Sequence, residues 1–124
     1  MSNTTKITGN FLQIKGLDAD WSVVGDMDAS FDKTGIKVKS ITFHPSATGD
    51  AMIIKEADPG LVSTAGVIAT TLTAPVLFQV ICADIYDQRV KYFGNGGKWM
   101  RPFIDISDCS LTTAATARVE FELA

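Results

Sequence analysis

The sequence predicts an all-β domain: an antiparallel β-sandwich or a jelly-roll-like barrel of seven to eight short strands. Three observations point there. Apolar and polar residues alternate with period two in several runs. The clearest is ARVEFELA, 117 to 124, where Val119, Phe121 and Leu123 point one way and Arg118, Glu120 and Glu122 the other. Clusters of Gly, Pro, Asn and Asp punctuate these runs at short intervals. Finally, no long run carries a convincing helical period. The best helix candidate, Leu61 to Thr71, is rich in Thr, Val and Gly, which are mediocre helix formers.

Taken in order, ITGNFLQIK (7 to 15) contains a strand in which Leu12 and Ile14 oppose the phase of Phe11. DWSVVGDMD (20 to 28) holds a short strand around Trp21, Val23 and Val24. GIKVKSITFHP (35 to 45) alternates through Ile36 and Val38, then resumes one residue out of phase at Ile41 and Phe43, the signature of a β-bulge. Pro45 ends that strand, SATGD turns the chain, and AMIIKEA (51 to 57) is the next strand. DPG (58 to 60) places Pro at the favoured second position of a turn. PVLFQVICAD is a β-branched and aromatic strand. QRVKYFGNGGKWMRPFIDI (88 to 106) reads as a hairpin closed by Asn95-Gly96, a pair suited to a type I′ turn. SDCSLTTAATA (107 to 117) is a loop of small residues. The last strand has one apolar and one charged face, so it belongs inside a sheet beside an early strand.

The totals bound the function. At 124 residues the chain is expected to be one domain, 1–124, and to bury roughly two-thirds of its unfolded surface without needing a metal or disulfide. Charged residues are only 20% of the chain, below the common ~25%, which suggests that some surface is covered by a partner. The net charge is −3 and the eleven Lys and Arg are scattered, which argues against nucleic acid and against an anionic membrane. Leu61 to Ala83 carries no charge, but six Ser, Thr and Gln residues and a central Pro75 make it a poor spanning helix, and it reads as core strands with a connecting loop. The N-terminus has no apolar stretch of signal-peptide length, so synthesis in a cytoplasm is expected. Cys82 and Cys109 then read as buried free thiols, with a bridge between them as the minority reading.

Candidate chemistry is sparse. His44 is the only histidine, which excludes multi-histidine metal sites. It lacks a G-x-S-x-G nucleophile elbow, so a structural or surface role is expected. Asp26-x-Asp28-x-Ser30, with Asp18, Asp20 and Asp32 nearby, has the spacing of a calcium loop, but Phe31 and Lys37 stand where that loop needs Gly and Glu. Solvated turns are expected there, with a different kind of calcium site left open. FGNGGKW lacks the Ser or Thr and the helix that a phosphate loop requires. The expectation is therefore no enzyme, no cofactor and no metal. Tyr92, Phe93, Lys98, Trp99 and Arg101 cluster around the glycines, and Trp, Tyr and Arg are enriched at protein–protein hot spots. They are the candidate interface residues. A grip on a glycan by the same aromatics, or burial of about half of them, is the competing reading.

The runs GIKVKSITFHPSATGDAMIIKEADPG, APVLFQVICAD and DQRVKYFGNGGKWMRPFIDISDCSLTTAATARVEFELA resemble the small virion proteins of tailed bacteriophages, of the head-decoration or cement type. The resemblance covers about two-thirds of the chain and rests on order and turns rather than on a diagnostic motif. It implies a non-enzymatic virion subunit, made in the host cytoplasm, that forms homo-oligomers and stabilises a capsid through contacts with the major capsid protein or other virion proteins. The alternative is a tail or attachment-associated β-sandwich module that binds a glycan or cell-surface ligand.

Overall fold

The computed structural model describes residues 4–17, 20–22, 35–56, 76–106 and 109–124. Ten strands fall within them: β1 (Thr4–Thr8), β2 (Phe11–Lys15), β3 (Trp21–Ser22), β4 (Ile36–His44), β5 (Ala51–Glu56), β6 (Val76–Ile81), β7 (Arg89–Tyr92), β8 (Lys98–Met100), β9 (Pro102–Ile104) and β10 (Arg118–Leu123). A 3-10 turn spans Ala114–Thr116. All pairings are antiparallel. One sheet runs β1-β2-β10-β4, with β7 and β8 sharing the far edge of β4. The other runs β3-β9-β5-β6. The predicted antiparallel sandwich of short strands is what forms.

The alternating residues meet between the sheets. Leu12, Ile14, Val119, Phe121, Ile41 and Phe43 come from the first sheet, and Met52, Ile54, Phe78, Ile104 and Trp21 from the second, in one continuous buried cluster. Each large apolar side chain buried this way contributes about 1.5–3 kcal/mol. Trp21 stacks on Phe121 with ring centroids 5.7 Å apart, and its indole N–H donates to Thr5 Oγ1 at 3.0 Å. Trp21 is thus a core residue.

β10 lies between β2 and β4, pairing Phe121 with both Leu12 and Ile41. A two-faced strand beside an early one is what its pattern predicted. Its outer face shows how the polar half of the alternation is used. Lys15, Arg118 and His44 stand in one cross-strand row, and Gln13, Glu120 and Thr42 in the next. Glu120 Oε1 accepts from Gln13 Nε2 at 3.1 Å and lies 3.5 Å from Arg118 Nε and 3.3 Å from His44 Nε2. One carboxylate thus offsets the repulsion of a basic row.

The β-bulge in β4 is present. Glu122 pairs with Ser40 and Leu123 with Val38, leaving Lys39 unmatched, and the adjacent residues Ser40 and Ile41 are both buried. Residues 7–15 contain the expected strand, β2, and β1 before it pairs with it in a hairpin around Gly9-Asn10, with Gly9 at φ 62°, the pattern of a II′ turn. The Thr-rich β1 gave no strand signal because Ile7 is its one apolar residue. The hairpin over 88–106 is overturned. β7 and β8 do not pair with each other; both pair with β4, Tyr92 opposite Ser40 and Lys98 opposite Val38. Phe93 to Gly97 therefore bulge out opposite the single residue Lys39. Gly97 N–H closes this excursion on the Gly94 carbonyl at 3.0 Å. The positive φ angles fall on Gly94 and Gly97, not on Asn95 and Gly96 as a type I′ turn requires.

Buried Asp50 joins the turn after β4 to the loop before β10. Its carboxylate accepts from Ser46 N at 2.7 Å, Ser46 Oγ, Ala47 N at 3.2 Å and Thr112 N at 3.0 Å. Burial pushes this carboxyl up, but the Ser46 hydroxyl and the three N–H groups outweigh it and hold it below its usual range.

Candidate interaction surface

After Met100 the chain crosses from one sheet to the other at Arg101, so β7, β8 and β9 form one extended run that follows β4 and then enters the second sheet. This run carries all five predicted interface residues and disperses them. Tyr92 and Trp99 lie exposed on the outer face of the first sheet, opposite Ser40 and Lys37. Tyr92 OH donates to Asn95 Oδ1, which ties the strand to its glycine excursion. Phe93 packs against the core, with Lys91 Nζ 5.2 Å from its ring centroid. Lys98 is exposed, and Arg101 donates its backbone N–H to Glu56 Oε1 at 3.0 Å, its guanidinium 4.0 Å from the same oxygen. Phe103 is buried. So about half of these aromatics serve the core, and Tyr92 and Trp99 face water.

A second surface was not legible in advance. β6 has one pairing partner, β5, among the described residues, and β7 has one, β4. The loop 82–88 joins them, so both open edges lie on one flank. A groove of about 280 Å³ runs there between Val76–Val80 and Val90–Lys91. Lys91 Nζ donates to the Leu77 carbonyl at 3.0 Å, bridging the two edges. Val76, Ile81 (69% exposed), Ile85, Tyr86 (89% exposed) and Val90 all show apolar surface to water. The loop is firmly held. Asp84 Oδ1 accepts from Tyr86 N at 2.7 Å, and Asp87 accepts from Ala83 N at 2.7 Å and from Arg89 Nε at 2.7 Å. The Arg89 guanidinium, helped by the Ala83 N–H, brings the Asp87 carboxyl down to about 2. The signal in the sequence was the apolar pair Ile85-Tyr86 set between two aspartates.

The remaining candidates resolve as follows. His44 Nε2 sits 3.3 Å from Glu120 Oε1, at ion-pair distance and without the alignment of a full hydrogen bond. Burial, then Arg118, lowers its pKa against the pull of Glu120. Asp18, Asp26, Asp28 and Asp32 lie outside the described residues, as do 61–71. Asp20 accepts from Ile106 N at 2.8 Å, and no group of three or more metal-ligating side chains occurs among the described residues. Both cysteines are free thiols, Cys82 buried with its thiol pushed up by burial, and Cys109 with Sγ 3.7 Å from Met52 Sδ. No helix among the described residues is long and apolar enough to cross a membrane. No protein-family model, curated protein or solved structure matches the chain.

Proposed function

We propose that this chain is a non-enzymatic structural subunit that assembles with copies of itself and stabilises a phage capsid as a decoration protein. The observation that carries the reading is the apolar flank along β6, the 82–88 loop and β7. Contiguous apolar surface on a rigid support marks a docking site more often than scattered single residues do. The strand edges beside it, unpaired among the described residues, supply backbone donors and acceptors to a neighbour. The low charge content fits a surface that spends its life covered.

Light scattering on the eluting protein, from micromolar to several hundred micromolar, tests self-association. The expected result is a mass that rises to a defined oligomer and that Ile81→Lys with Tyr86→Lys returns to the monomer. A monomer at every concentration, which also fails to cosediment with shells of the major capsid protein from the same genome, overturns the proposal. The second reading, an attachment module that grips a glycan, is favoured by the surroundings of Trp99.

A further inference from the structure

We infer that Trp99, Glu56 and Arg101 form a binding site for a neutral pyranose sugar. Where the chain leaves β8 for β9, a cleft of about 200 Å³ opens, lined by Gly35, Glu56, Trp99, Met100 and Arg101. Its volume suits one ring rather than a drug-sized ligand, whose pockets run from about 300 Å³ upward. Trp99 is 63% exposed, although it sits on a strand paired to β4. Its indole therefore presents a flat apolar face on a fixed backbone. Gly35 keeps the cleft open beside that ring: a β-carbon there would lie 3.6 Å from Trp99 Cε3 and 3.2 Å from the Met100 carbonyl oxygen.

Polar groups converge on the same space. Glu56 Oε1 is held by the Arg101 backbone N–H at 3.0 Å, with the guanidinium 4.0 Å away. Glu56 Oε2 accepts no hydrogen bond from a described residue, so it is available to a ligand hydroxyl. The Glu56 carboxylate repels an anion, so the cleft suits a ligand without negative charge. An uncharged ring with an apolar C–H face and a rim of hydroxyls matches this arrangement: the face lies on the indole, and the hydroxyls donate to Glu56. The inference shares the Trp99 cleft with the attachment reading and does not depend on self-association, so the two experiments fail separately.

The chain has two tryptophans, and Trp21 is 1% exposed, so collisional quenching by iodide reports on Trp99. Methyl pyranosides of glucose, galactose, mannose and N-acetylglucosamine are titrated to tens of millimolar. At least one is expected to shield Trp99 from iodide with a saturable curve. Glu56→Gln, which keeps the Oε1 acceptor, is expected to weaken that sugar about tenfold. Trp99→Ala, followed by saturation-transfer NMR on the sugar, is expected to lose binding while melting like the parent. Absence of shielding by every neutral sugar overturns the inference. So does stronger shielding by N-acetylneuraminic acid or by a proline-rich peptide, or binding that survives Trp99→Ala.

Discussion

Replacing Asp50 should cost this fold more than any other single polar change among the described residues. The Asp50→Ala variant removes the acceptor for three backbone N–H groups and one hydroxyl, from Ser46, Ala47 and Thr112. The two Ser46 donors are buried, so each loses about 1–3 kcal/mol when left unpaired. The Ala47 and Thr112 groups lie nearer the surface, and water replaces part of what they lose. The total comes to about 3–5 kcal/mol, a large share of the ~5–15 kcal/mol that holds a small domain folded. For a chain of this length that is a fall of roughly 10–20 °C in Tm. Asp50→Asn should recover part of this, because its amide oxygen can take the Ser46 and Ala47 donors while its NH₂ then faces the Thr112 N–H. The pH dependence carries a sign. The folded carboxyl lies below its unfolded value of about 3.9, so its contribution is fully present above that value and is lost as pH falls through the folded pKa. Urea melts of the parent should therefore weaken on acidification below about pH 4 more steeply than those of Asp50→Asn. The reasoning is refuted if Asp50→Ala unfolds within ~1 kcal/mol of the parent at pH 7.

Two further pairs of substitutions test the architecture. Gly97→Ala should destabilise by about 1–3 kcal/mol, because Gly97 has φ 75° and a β-carbon there would come within 2.7 Å of Ala124 Cβ. Gly96→Ala should be neutral in the same melts, since a β-carbon there meets nothing within 4 Å; the reverse order would restore the Asn95-Gly96 hairpin. Trp21→Ala should cost about 3–5 kcal/mol through the lost stack on Phe121 and the cavity it leaves, whereas Trp99→Ala should change the urea midpoint little.

The sandwich and its strands were legible because strand periodicity is local. Val119, Phe121 and Leu123 alternate with charges whatever they pair with, and the phase slip between Val38 and Ile41 marks a bulge in any sheet. The candidate sites were less legible. Tyr92 and Trp99 were found by residue type alone, yet Phe93 has the same type and packs on the core. Glu56 and Gly35, far from Trp99 along the chain, gave no sign of sharing its cleft. The flank at Ile81, Tyr86 and Val90 emerges only when β6 and β7 prove to be edges among the described residues.

The alternation along most strands, the turn at Ser46–Asp50 and the polarity of the last strand were thus set by the amino-acid order, because each depends on φ/ψ preferences and side-chain direction within a few residues. Which strands became neighbours was decided by tertiary structure. FGNGGKW satisfies either a hairpin or an excursion with the same local chemistry. The nine-residue β4 selected the excursion, since it could pair β7 and β8 end to end along one edge while β10 took the other. That choice is one of hydrogen bonds and buried area between segments distant in the chain, and no short window of sequence contains it.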